Sequence, residues 1–144
     1  RVGDPRLHRA ARRSREIALQ VLFQTEFEEN LTIEQALNAY LENFEASSEI
    51  KEFAAILVNG VWNNRKELDT LIQSHSQNWK VTRMAFVDKN ILRIAAYELK
   101  FLEAEIPPNG AIDEAIEIGK RFGSQDSSNF INGVLDNILK SLHQ

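Results

Sequence analysis

FINGVLDN, Phe130 to Asn137, carries an Asn-Gly pair near its middle. Asn-Gly is the strongest short signal for a β-hairpin, because both residues tolerate positive φ. On that reading the C-terminus is strand, turn and strand. The neighbouring residues decide otherwise. Ile131, Val134, Leu135, Ile138 and Leu142 recur at three- and four-residue spacing, the period of an amphipathic helix. LVNGVWNN, Leu57 to Asn64, repeats Asn-Gly-Val in surroundings of the same period. With both turn dipeptides absorbed into helices, no strand pattern survives and the chain reads as all-α.

Working outward, Asp4-Pro5 is a helix start, with Asp as cap and Pro at the first helical position. The first helix is predicted to run to about Glu28: arginine-rich at first, then apolar around most of its circumference. TIEQ, Thr32 to Gln35, fits a capping box and opens a second helix to about Glu45. From Ser47-Ser48, apolar periodicity through Phe53, Leu57, Val61, Leu68 and Ile72 predicts one long helix to about Ser76. Trp79 to Thr82 is a break, followed by a short helical turn around Arg83 to Phe86. Asp88 then caps KNILRIAAYELKFLEAE, and Pro107-Pro108-Asn109-Gly110 reads as a stop and turn. AIDEAIEIGKRF is another helix, with Gly123 as its expected left-handed C-cap, and Asp126 or a nearby Ser opens the last. The expected architecture is a bundle of six or seven helices.

At 100° per residue the two Asn-Gly pairs part company. Gly60 falls on the edge of its helix's apolar stripe, where a glycine lets a neighbour pack closely. Gly133 points roughly 160–200° from its own stripe, and Phe130 lies roughly 100° off it. Either a second helix covers that side, or something outside the fold approaches the backbone there.

The chain has 144 residues, comfortable for one domain and short for two. Three prolines and six glycines are few turn residues, which favours long helices. No apolar run approaches the roughly 20 residues of a membrane span, and no signal-peptide pattern opens the chain, which begins with Arg1 rather than Met. Cysteine is absent, which excludes disulfides, thiolate catalysis and zinc–thiolate sites and fits a cytoplasmic protein.

Catalysis finds no support. The three histidines, His8, His75 and His143, are far apart, and none has the spacing of a metal site. No phosphate-binding loop, dinucleotide fingerprint or nucleophile elbow is present. Asp113, Glu114 and Glu117 sit where a helix dipole favours carboxylates. The expectation is a non-enzyme with no metal and no cofactor.

The net charge of −4 hides an asymmetry. Arg1, Arg6, Arg9, Arg12, Arg13 and Arg15 stand in residues 1–15 beside one acid, Asp4, while the rest of the chain is acidic. On a helix Arg12, Arg13 and Arg15 spread over roughly 160° of the circumference, so one packed neighbour cannot neutralise them all. They could engage phosphates by counterion release, and arginine also stacks on unpaired bases, which suits single-stranded RNA. A solvated basic face, or an arm bound by the acidic body, is the plainer alternative.

Several blocks together resemble the NusB family of bacterial transcription antitermination factors. RRSREIALQVLFQ is similar to its arginine-rich first helix. NWKVTRMAFVDKNILRIAAYEL (78–99) and IPPNGAIDEAIEIGKRFGSQDSSNFINGVLDNIL (106–139) resemble its two longer signatures. Residues 29–77 match only in pattern. The resemblance implies two small helical bundles packed as one domain over residues 1–144, with residues 1–15 an arm continuing into helix one. It implies a non-catalytic factor that pairs with NusE, a ribosomal small-subunit protein. The pair would bind boxA RNA in nascent ribosomal transcripts and act within the RNA polymerase antitermination complex of the bacterial cytoplasm.

Carried over by motif, Arg12, Arg13 and Arg15 fall on the RNA-binding arm, and Ser127, Phe130 and Asn132 on the C-terminal motif that accompanies it. Asp88, Lys89 and Leu92, at the start of the ILRIAAYEL helix, fall on the surface used for NusE. Family members differ in forming homodimers. This chain departs from the family pattern at Asp113, where Asn is usual, at Gly110, where Val is common, and at Ser14, which interrupts the arginine run. Two rivals remain: a NusB-like domain associated with an RNA-modifying enzyme, and a protein-interaction bundle whose arginines serve solubility.

Overall fold

The structure is a computed structural model that describes residues 5–143, with side chains described from residue 11 onward. The expected Asp4 cap and Arg1 lie outside the described residues, as do the side chains of Arg6 and Arg9. Among the described residues there are seven α-helices: α1 (Pro5–Phe27), α2 (Ile33–Glu42), α3 (Ser48–Asn63), α4 (Arg65–Ser74), α5 (Phe86–Phe101), α6 (Pro108–Phe122) and α7 (Ser127–Leu142), with a 3₁₀ turn at Val81–Arg83. No strand occurs among the described residues, as the periodicity predicts. None of these helices is long and apolar enough to cross a membrane.

The chain divides after Asn63 into two compact units. The first holds α1, α2 and α3. Ile17, Val21, Leu37, Leu57 and Val58 are buried in it, and each such side chain contributes about 1.5–3 kcal/mol when taken fully out of water. Thr32 forms the expected capping box: its Oγ1 accepts from Gln35 N at 3.1 Å, and its own N–H donates to Gln35 Oε1 at 3.0 Å. Gly60 is buried in α3, consistent with a packing glycine.

In the second unit α5 packs against α4, α6 and α7. Its Ile91, Leu92, Ala95 and Leu99 are buried, as are Leu68 and Ile72 of α4 and Ile131, Leu135 and Ile138 of α7. Arg93 of α5 clamps α4: Nε and Nη2 donate to the two oxygens of Asp69 at 2.7 and 2.8 Å, and Nη1 donates to Asn90 Oδ1 at 3.2 Å. Two parallel charge-assisted bonds give this pair directional strength that a single contact lacks.

Several boundaries and caps differ from expectation: the short turn stands at Val81–Arg83 rather than around Arg83 to Phe86, α5 ends at Phe101 rather than Glu105, and four more differ for local reasons. The long helix predicted from Ser48 to Ser76 is interrupted at Asn64, which leaves the helical register (φ −115°, ψ 21°) while its carbonyl accepts the first bond of α4. Asparagine competes for backbone hydrogen bonds, and apolar periodicity does not register that competition. Asp88 is not the cap of α5; that helix begins at Phe86 behind Ala85, which places Asp88 in its first turn. Pro108, Asn109 and Gly110 are not a turn but the opening of α6, with Pro108 at its first position, where a missing N–H costs nothing. Gly123 is extended (φ −93°, ψ −170°), not left-handed. An added Cβ there would stand 2.6 Å from Ser127 Cβ and 2.8 Å from the Gly119 carbonyl oxygen, so crowding rather than handedness calls for glycine.

Candidate functional site

Each unit carries one group of the predicted site residues. In the first unit the arm runs along α1. Arg12 is half-buried. The Arg13 side chain is 35% exposed; its guanidinium lies 4.1 Å over the centroid of Phe44, and its Nη1 donates to Glu16 Oε1 at 3.4 Å. Ser14 is fully buried and its hydroxyl donates to the Ile50 carbonyl in α3 at 2.8 Å. The serine that interrupts the arginine run is thus a tie between α1 and α3.

Arg15 is 5% exposed, with its guanidinium 5.8 Å from the Phe53 centroid. The expected spread of arginines around the helix is real, but it turns one of them inward. Burial removes Arg15 from the set that can meet a ligand directly and leaves it a packing role beside Phe53.

In the second unit the start of α7 faces a cavity of about 340 Å³ lined by Trp79, Arg83, Met84, Asp88, Asp126 and Phe130. Trp79 is 57% exposed and meets Phe130 edge-to-face, with ring centroids 6.3 Å apart and planes at 73°. Phe130 is half-exposed, and Asn132 and Gly133 are exposed. No atom lies within 4 Å of the position a Cβ would take on Gly133. Among the described residues, nothing packs against Gly133 on that side of α7.

Ser127 is 1% exposed, and its Oγ accepts from the Ser124 N–H at 2.8 Å. It shapes the turn before α7 and is not available at the surface. Asp88 is 9% exposed, lines the cavity, and its Oδ1 finds no hydrogen-bond partner among the described residues. Lys89 is half-buried with its ammonium 5.3 Å from the Phe86 centroid. Leu92 is fully buried, so the expectation that it meets a partner gives way: it belongs to the apolar stripe of α5.

The structure therefore brings Asp88 and Phe130, assigned by motif to different ligands, to one cavity. Sequence reasoning did not single out Trp79 or Arg83 for that cavity, nor Phe44 beneath Arg13. Trp79 lay in a recognised break between helices, and an aromatic there was the available signal. Phe44 offered none, because the contact that gives it meaning joins it to Arg13 on α1, remote in sequence.

A family model described as the NusB family matches residues 12–140. A transcription antitermination protein NusB of Bdellovibrio bacteriovorus is 47% identical over 92% of this chain and 96% of its own length. One from Myxococcus xanthus is 41% identical over 94% and 98%. Among solved structures, a NusB of T. maritima superposes with a TM-score of 0.82 at 41% identity, covering 90% of each chain. A structure of antitermination factors NusB and NusE in complex with dsRNA gives a TM-score of 0.81 over 92% of this chain; at 24% identity that likeness speaks for the fold alone.

Proposed function

The chain belongs to the NusB family and acts as a non-catalytic transcription antitermination factor, and from that premise we propose that it binds single-stranded boxA RNA together with NusE in the bacterial cytoplasm. The proposed division of labour follows the geometry. Arg12 and Arg13 meet phosphates, Phe130 stacks on a base with Trp79 at its edge, and Asn132 adds a polar contact. Arg15 and Ser127 hold the backbone beneath these groups. Asp88 and Lys89 face NusE, which bridges to the polymerase complex.

The observation that carries this reading is the uncovered side of α7: a half-exposed aromatic beside an exposed Asn-Gly, with open space where a Cβ would stand. Filter binding tests it. A boxA-like RNA, its scrambled counterpart and a duplex form are titrated with and without NusE. Preference for the single-stranded boxA form is expected. Equal affinity for all three with NusE present would sink the reading.

Two substitutions sharpen it. Asp126 is exposed, lines the cavity, and makes no side-chain cap bond at the start of α7. Its carboxylate repels phosphate, and asparagine is as well suited to the start of a helix. Asp126→Asn is expected to tighten RNA binding at fixed salt, with an unchanged melting temperature; unchanged or weaker binding would count against RNA at this surface.

Gly133 meets neither a packing constraint nor a positive-φ constraint. In mid-helix it costs about 1 kcal/mol relative to alanine. Gly133→Ala is therefore expected to raise stability by about that amount in urea unfolding while weakening RNA binding. A gain in stability with unchanged affinity would show that nothing approaches the helix there.

A further inference from the structure

Phe44 lies between α2 and α3, outside every motif named above, yet the Arg13 guanidinium stands 4.1 Å over its centroid. Beneath Phe44 lies Tyr40, with centroids 5.2 Å apart and planes within 16° of parallel. The Tyr40 hydroxyl donates to Gln20 Oε1, on α1, at 3.0 Å. Glu16, also on α1, takes an edge of the same guanidinium at 3.4 Å. The side chains form a ladder that leaves α1 at Gln20, crosses two rings and returns to α1 at Arg13. Burial pushes the Tyr40 phenol above its usual pKa, against the opposing pull of Arg13.

An unsupported arginine side chain loses much rotamer freedom when it closes on a phosphate. A guanidinium already seated on a ring has lost that freedom in the free protein, and cation–π attraction offsets the loss. A guanidinium standing over a ring still has N–H groups to offer, and phosphate oxygens accept from such groups.

We propose that Phe44, resting on Tyr40, is a positioning residue for RNA: it fixes the Arg13 guanidinium so that its N–H edge meets a single phosphate. This rests on the RNA reading of the arm, and the test separates the two. The full-length chain is titrated with single-stranded boxA-like RNA over a salt series, comparing Arg13→Ala, Phe44→Leu, Phe44→Trp and the Arg13→Ala/Phe44→Leu double variant. Melting temperatures are recorded alongside.

Arg13→Ala is expected to weaken binding and to reduce the slope of log K against log salt by about 0.7, one phosphate contact on a single strand. Phe44→Leu keeps apolar bulk and every charge, yet is expected to weaken binding roughly threefold to tenfold and to lower the slope in the same direction. Phe44→Trp restores both, and the double variant is no weaker than Arg13→Ala alone. Should Phe44→Leu fail to fold, Tyr40→Phe removes only the hydroxyl anchor and is expected to cause a smaller loss of the same kind; full retention of affinity would overturn the ladder.

If Arg13→Ala itself leaves affinity and slope unchanged, the arm does not meet RNA and the inference falls with it. If Arg13→Ala weakens binding but Phe44→Leu does not, or if the two losses multiply in the double variant, the positioning role is overturned while the RNA reading stands.

Discussion

Phe130→Ala is expected to weaken boxA RNA binding by roughly ten- to one-hundred-fold, the loss of one base–aromatic stack. The ring is half-exposed and its aromatic neighbour, Trp79, is itself 57% exposed, so little apolar packing is lost with it. A fully buried phenylalanine would cost about 3–5 kcal/mol of stability on truncation; this one should cost well under half of that. The two effects separate by experiment. Phe130→Leu keeps most of the volume but removes the π face, so it should retain the melting temperature and still lose most of the affinity. RNA binding that survives both substitutions would remove α7 from the RNA surface, whatever the family resemblance implies.

Gly123→Ala is expected to destabilise the second unit by about 1–3 kcal/mol, lowering the melting temperature by roughly 3–10 °C. The added methyl would collide with Ser127 Cβ and with the Gly119 carbonyl oxygen, and closest of all with Ser127 Oγ. Backbone and a buried side chain cannot step aside as a flexible surface residue could. Ser127 Oγ also accepts from the Ser124 N–H, so displacing it breaks a bond inside the turn that sets up α7. Gly110→Ala is the control: that glycine lies in the first turn of α6, with nothing within 4 Å of its Cβ position, and its substitution should be neutral or mildly stabilising. Equal melting temperatures for the two variants would refute the crowding account. Because Gly123 positions the start of α7, partial loss of RNA binding is expected to accompany the loss of stability.

The helices were legible for a physical reason. Burial against a core imposes a 3.6-residue period, and Ile131, Val134, Leu135 and Ile138 keep that period across Asn132-Gly133. Local propensity for a turn could not outweigh four buried side chains. The capping box at Thr32 was equally readable, since its partners lie three residues apart. What periodicity could not detect was the interruption at Asn64, where the apolar pattern continues although the backbone does not.

The candidate site was legible in part. Motifs pointed to the arm and to the start of α7, but they ranked Arg12, Arg13 and Arg15 alike, and Ser127 with Phe130. Exposure separates them, and exposure depends on neighbours remote in sequence. Arg15 turns inward beside Phe53, thirty-eight positions away, and Arg13 is seated on Phe44. Leu92 was assigned with Asp88 to a partner surface by motif, although the helical period already puts it on the apolar face of α5, and it is core.

By itself, then, the sequence determined the class of fold, the charge asymmetry and the family, since these rest on short-range period, composition and contiguous motifs. The tertiary structure alone decided which arginine stays at the surface, why Gly123 is glycine, and that Asp88 and Phe130 share one cavity. It also resolved the two Asn-Gly pairs: Gly60 is buried in α3, whereas Gly133 stands in open space on α7. The physical reason is the same throughout. Period and propensity act between residues a turn or two apart, whereas exposure, crowding and ring-on-guanidinium contact arise only when distant segments are brought within a few ångströms.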